Sequence, residues 1–151
     1  MDFPAGPIAQ SIFWSENSWM PDPLRRPVRP DDSAAWLRLR TAHWPDGAAD
    51  HPAEIAAFFA HTITEPLEVF VAETQGQCIA LLELSIRTDL PGFLKDKVGY
   101  VEGLYIVPEF RGQSLVRRLL RSAQSWARQK HCTLFASDRA GRVIVDRHYR
   151  L

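Results

Sequence analysis

An α+β fold, with a mixed but mostly antiparallel central sheet flanked by helices, is predicted by three observations. Two segments of helical period precede a run of three alternating strands, and a long basic amphipathic stretch separates the third strand from a fourth. A chain of 151 residues that is 46% hydrophobic is also large enough for one core. The order helix, helix, antiparallel strands, crossover helix, strand makes the last pair of strands parallel. The expected division is an irregular leader over residues 1–27 and a single domain over residues 28–151.

The leader contains Pro4, Pro7, Pro21, Pro23 and Pro27 and no sustained periodicity. Its Phe13, Trp14 and Trp19 are large apolar groups suited to docking on the domain or on a partner. Residues 28–30 read at most as a short edge strand. Asp31, Asp32 and Ser33 offer N-cap chemistry for a helix ending near His43, with Ala35, Trp36, Leu39 and Ala42 on one face. A turn over residues 44–47 leads to a second helix over residues 52–63, in which Ile55, Phe58, Phe59 and Ile63 recur at helical spacing. Residues 68–73 and 78–87 form a hairpin about Gln75, Gly76 and Gln77. Residues 89–97 are a loop and residues 98–107 a third antiparallel strand. A helix over residues 114–130 follows, with Leu115, Leu119, Leu120, Ala123 and Trp126 inward. Residues 133–136 are the parallel strand, and residues 142–146 (RVIVD) read equally as a terminal strand or as unrelated sequence.

The net charge of zero is made of unequal parts. Residues 1–40 balance, residues 41–110 carry −8 and residues 111–151 carry +8. Such a chain can hold a cation and an anion side by side, although opposite faces that merely neutralise each other give the same sums. The anion site falls where the third strand meets the basic helix. Unpaired N–H groups of the first helical turn, the helix dipole and Arg111 all favour phosphate there. Nucleic acid is disfavoured by the acidic middle and by the lack of aromatic interleaving. No apolar run reaches a membrane span and no basic leader precedes an apolar core, so a soluble, unexported protein is expected. Cys78 and Cys132 have neither metal nor CxxC spacing and are expected as buried free thiols in the cytoplasm, with no metal bound.

In order along the chain stand LRTAHWPDG, a strand ending ELSIRTD, VEGLYIVPEFRGQ, a helix ending SAQSWARQKHC, and FASD. Over residues 28–138 these pieces resemble the GCN5-related N-acetyltransferases (GNAT), and within them the aminoglycoside 6'-N-acetyltransferases. The resemblance implies acetyl-coenzyme A as donor, a cationic aminoglycoside as acceptor and transfer to its 6'-amine, an antibiotic-resistance activity. It places the cofactor along Leu104, Tyr105, Ile106 and Val107 and over the loop Arg111, Gly112, Gln113, Ser114, Leu115 and Val116. It carries Glu102 and Asp138 onto acidic positions at the reacting amine, Trp44 onto a stacking position, and Asp46 and Glu83 onto weaker acceptor contacts. Carboxylates suit this chemistry because they hold ammonium groups and can take a proton. Another small amine as acceptor, or a weakly active relative that only binds, are the other readings.

Three features depart from the family pattern. Ser114 and Val116 stand where small residues let the backbone approach a pyrophosphate. Leu90 stands where a tyrosine often contacts the acceptor. After FASD the family continues with a helix and a hairpin, whereas only residues 139–151 follow here, so the C-terminal part is expected to be shortened. The sheet beside residues 133–136 is then expected to expose apolar surface, with lower stability or a homodimer as the result.

Overall fold

The strand against which the others are laid is β3, Gln77–Arg87, in which every residue from Cys78 to Ser85 is buried. The computed structural model describes residues 22–139, 141–146 and 149. Phe13, Trp14 and Trp19, with the leader up to residue 21, lie outside the described residues. The remaining strands are β1 (Leu24–Pro27), β2 (Glu68–Thr74), β4 (Val98–Ile106), β5 (Leu134–Arg139) and β6 (Arg142–Val145). They form one sheet in the order β1-β2-β3-β4-β5-β6. Every neighbouring pair is antiparallel except β4 and β5, which are parallel as the crossover requires.

Local chemistry moves several boundaries. The hairpin turn is two residues, Gln75 at φ 50 and Gly76 at φ 74, because the right-handed twist of the flanking strands selects a turn with both central residues left-handed. Gln77 therefore joins β3 opposite Thr74. The edge strand lies at Leu24–Pro27, earlier than residues 28–30, so the leader does not extend to Pro27. Arg26 fixes this strand with hydrogen bonds to Asp32 at 2.7 and 2.9 Å and to Glu73 at 2.8 Å. Asp32 thus gives its carboxylate to Arg26 and to the Arg29 amide at 2.7 Å, and although it is the N-cap residue of the helix that follows, its side chain makes no capping hydrogen bond to it.

Helix α1 (Ser33–His43) and the shorter α2 (His51–Phe59) cover one face of the sheet. Trp36, Leu39 and Ile55 pack there on Val69, Val71 and Leu81. The inward position expected for Ala42 belongs to Arg40, and Ile63 falls beyond α2. Helix α3 (Gln113–Gln129) covers the other face through Leu115, Leu119, Ala123, Trp126 and Ala127. A Cβ on Gly99 would stand 2.6 Å from that of Ala127, so glycine is what lets α3 approach β4 this closely. Each fully buried Leu or Val contributes about 1.5–3 kcal/mol, and both faces supply several.

The apolar exposure expected beside β5 is displaced outward by one strand. Phe135 is 3% and Ala136 1% exposed, because Tyr149 covers the former and the loop carrying Leu90 and Phe93 covers the latter. Val143 and Ile144 on β6 are the exposed residues, at 48% and 44%. Leu90 is core, packed with Val98, Tyr100 and Ala136. Both cysteines are buried free thiols. No helix among the described residues is long and apolar enough to cross a membrane.

Candidate active site

Two irregularities in β4 build the site. Opposite β3, Glu83 pairs with Gly103 and Leu84 with Val101, so Glu102 is an extra residue, a bulge that re-aims its side chain. On the other side, β4 pairs with β5 only from Val98–Leu134 to Val101–Ser137. Beyond that point the strands part, and among the described residues no strand pairs with that edge of β4 from Glu102 to Ile106.

Beside the bulge lies a cavity of about 570 Å³ under α1 and α2. Asp46, Asp50, Glu54, Glu65, Glu83 and Glu102 line it, with Arg40 as its guanidinium and His43, Trp44 and His51 as its rings. Trp44 lies on β4, for a Cβ on Gly103 would come within 2.3 Å of its Cη2. Its carbonyl accepts from His51 Nε2 at 2.9 Å, which ties the start of α2 to the end of α1. Burial lowers the pKa of the His43 imidazole, which packs between Trp44 and Tyr105 at centroid distances of 4.4 and 6.0 Å, and so favours the neutral form. A neutral ring there can accept a proton from an ammonium group placed on Trp44.

The carboxylates are held in different ways. Glu102 accepts from Ser85 Oγ and from both Arg87 Nε at 3.0 Å and Arg87 Nη2 at 2.9 Å, and Arg87 lies 4.4 Å over the Tyr100 ring. Glu83, only 1% exposed, accepts from Trp36 Nε1 at 2.7 Å and has Arg40 Nε at 3.4 Å. Burial pushes its pKa up, opposed by the Arg40 charge. Arg40 also reaches Glu54 at 2.6 Å and lies 5.5 Å over the Trp44 ring.

Of the residues expected in the site, Trp44, Asp46, Glu83 and Glu102 come together in this cavity. Asp138 does not line it. It is exposed, opposite Val143, one residue past the last β4–β5 pair, and its charge helps raise the Tyr100 phenol, second to burial. Asp50, Glu54, Glu65, Arg40, His43, His51, Ser85 and Arg87 were not singled out from the sequence. The signal for three members of this neighbourhood was the polar alternation Glu83, Ser85, Arg87 in an otherwise apolar strand, which puts them on one face.

At the other end of β4, the turn Pro108–Phe110 leads into α3, whose N-cap is Gly112 rather than Ser114 and carries no side-chain cap. Val116 packs against the core, so its branch turns away from the loop, and a Cβ on Gly112 would meet nothing within 4 Å. Leu115 is buried and Ser114 exposed; the side chain of Gln113 lies outside the described residues. Arg111 braces the strand, donating from Nε to the Ile106 carbonyl at 2.9 Å, with its guanidinium 5.6 Å over Tyr105. A cavity of about 260 Å³ opens at this loop between Arg111, Ser114, Arg118 and Asp22. Asp22 pairs with Arg118 at 2.5 Å.

The sequence profile of the Acetyltransferase (GNAT) family matches residues 33–148. The chain belongs to the GNAT acetyltransferase family. Among curated relatives, this GNAT chain is 41% identical over 118 residues to an aminoglycoside N(6')-acetyltransferase type 1 of Klebsiella aerogenes, covering 77% of the chain and 78% of the relative. Among solved structures it is similar to the aminoglycoside antibiotic 6'-N-acetyltransferase AAC(6')-IG of Acinetobacter haemolyticus, with 35% identity and a TM-score of 0.68 over 78% of this chain and 79% of that one. It is also similar to aminoglycoside N-acetyltransferase AAC(6')-Iy in complex with CoA, at 26% identity and a TM-score of 0.69 over 78% and 76% of the two chains. Like other members of the family, this GNAT domain uses acetyl-coenzyme A. The unpartnered edge of β4, the uncapped first turn of α3 and the inward-turned Val116 fit that donor. Among the described residues no group of three His, Cys, Asp or Glu could hold a metal ion.

Proposed function

We propose that the chain transfers the acetyl group of acetyl-coenzyme A to the 6'-amine of aminoglycoside antibiotics and thereby confers resistance to them. The observation that carries this reading is the cavity against Trp44, where six carboxylates face one guanidinium beside the parting strands. A site of that sign suits a polycation with sugar rings, since the carboxylates hold the ammonium groups and the indole supplies an apolar face. The bound donor supplies an activated acetyl thioester. Glu102, fixed by Arg87 and Ser85, orients the reacting amine. Asp138, at the mouth of the split, takes its proton directly or through water. Asp46 and Glu83 hold more distant charges. The N–H groups after Glu102 on the unpartnered edge aim at the thioester oxygen, and Leu104 to Val107 carry the pantetheine as an added strand. The first turn of α3, Gly112 to Val116, with Arg111, receives the phosphates. The reaction belongs in the cytoplasm, where its donor is made, and the chain works as a homodimer.

Thiol release from acetyl-coenzyme A, followed with kanamycin-like acceptors bearing or lacking the 6'-amine, tests the reading. Turnover only with the 6'-amine present is expected. A folded chain that shows none, or that acetylates both acceptors alike, overturns it.

A further inference from the structure

His43, the last residue of α1, meets both halves of the site. Its ring packs on Trp44, the stacking position for the acceptor, with 4.4 Å between centroids. It also packs on Tyr105, in the segment of β4 that carries the donor, at 6.0 Å. The ring is half-buried and lines the acidic cavity, and among the described residues neither of its nitrogens makes a hydrogen bond. Both are thus available to a ligand, one as donor and one as acceptor while the imidazole is neutral. Arg40 stands one turn back on α1 and Asp46 in the turn that follows. Asp50, His51 and Glu54 come from the start of α2, Glu65 from the loop before β2, Glu83 from β3 and Glu102 from β4, all lining the same cavity. Behind Tyr105 stands Arg111, 5.6 Å over its ring. Burial keeps the resting imidazole neutral by lowering its pKa below the ordinary 6.5. The surrounding carboxylates and the negative end of the α1 dipole favour the imidazolium once a proton arrives.

We propose that His43 carries the proton of the transfer step from the attacking nitrogen to the leaving sulfur. This deepens the acetyl-transfer reading above and rests on it. Asp138 takes the proton that turns the ammonium into a free amine. Once that nitrogen bonds the acetyl carbon it holds one proton too many, and once the C–S bond breaks the sulfur lacks one. His43 accepts the surplus proton at its free ring nitrogen and delivers it to the sulfur, so the imidazole ends the turnover neutral, as it began. One N–C bond forms, one C–S bond breaks and one proton moves between them, with no further reactant. Asp138 is poorly suited to this second task, because it lies outside the cavity and already holds the first proton. His43 is suited to it because its ring spans the place where the acceptor ring and the donor strand meet.

Single-turnover acetyl transfer, thermal melts and ring-proton magnetic resonance of the full chain test this. His43→Phe keeps a ring on Trp44 and Tyr105 but removes both nitrogens, so it should hold the thermal midpoint and slow transfer by about 100-fold. The parent rate should fall as pH drops through a value below 6.5, and in His43→Phe that limb should move down to the carboxylate range. Imidazole added to His43→Ala should restore the rate by about tenfold or more, which a merely structural role for the ring would not allow. Without any turnover, the His43 ring signal of the parent should titrate below 6.5, and coenzyme A should shift that titration upward, because a thiolate beside the ring favours the imidazolium. Desulfo-coenzyme A, which lacks the sulfur, should leave it in place. A working parent beside a His43→Phe variant that transfers as fast overturns this inference alone. So does a loss that imidazole does not repair, or a titration that the two coenzymes move alike. A parent that transfers nothing to the 6'-amine overturns the acetyl-transfer reading itself, and this inference falls with it.

Discussion

Gly103 and Trp44 share one volume: the indole stands where any larger residue at 103 would put its Cβ, 2.3 Å from Cη2. Because the displaced atom is the far end of a side chain, Gly103→Ala should cost little stability and should instead push Trp44 off β4. The expected result is a KM for the aminoglycoside raised about 3- to 10-fold, the equivalent of ~0.5–1.5 kcal/mol of aromatic contact, with KM for the donor unchanged. Steady-state kinetics against both substrates would show it. A donor KM that rises in parallel would mean that residue 103 acts on the cofactor edge instead.

Glu102 and Asp138 should differ under substitution because they are held differently. Asp138 is exposed, so Asp138→Asn should leave the thermal midpoint unchanged and reduce kcat by about 100-fold, within the range for a lost proton acceptor. Glu102→Gln gives Arg87 and Ser85 a weaker partner, so it should lower both the thermal midpoint and turnover. Rates unchanged in both variants would remove the proposed roles.

Arg40 is the counter-charge for a buried acid. Arg40→Met leaves Glu83 ionised at 1% exposure and should destabilise the fold by about 3–5 kcal/mol near neutral pH. The sign of the pH effect follows from the raised pKa of Glu83. The protonated carboxyl needs no counter-charge, so the deficit should shrink as pH falls. Thermal melts of the variant and the parent at several pH values would measure this. A deficit constant with pH would assign the loss to packing.

Asp32 contributes in the opposite sense. Its hydrogen bond with Arg26 outweighs burial and holds its pKa at about 2, below the ordinary 3.8. A depressed carboxyl stabilises the fold fully above its unfolded value and loses that contribution as pH falls through the folded one. The window is therefore about pH 4 down to about pH 2. Asp32→Asn should cost about 2 kcal/mol at neutral pH and progressively less across that window. Urea titrations at pH 7 and pH 3 would separate the two cases.

The fold was legible wherever one periodicity ruled a segment. The alternation of β2, β3 and β4 and the apolar stripe of α3 carry their own assignment, and the crossover sets the one parallel pair. Boundaries were lost where a long-range polar contact outbids local preference. Arg26 recruits Asp32 and Glu73 and so makes a strand of residues that read as leader. The site was half legible. Trp44, Asp46, Glu83 and Glu102 were found through resemblance, and the geometry brings them to one cavity. Arg40 and His51 escaped because a charged or titratable residue on a helix reads as solvated until tertiary packing buries it. The bulge at Glu102 could not be read at all, since it is a difference in register between two strands.

The unbroken burial of β3 has a further meaning for how this sequence can drift. From Cys78 to Ser85 no position faces water, and the only ionisable side chain apart from the Cys78 thiol is Glu83. A buried carboxylate is a burden on folding that an apolar residue of similar size would not impose. Neutral drift toward a sturdier strand would therefore erase Glu83 first. Its persistence in a population under antibiotic exposure, and its decay once exposure ends, would record selection on the cavity rather than on the fold.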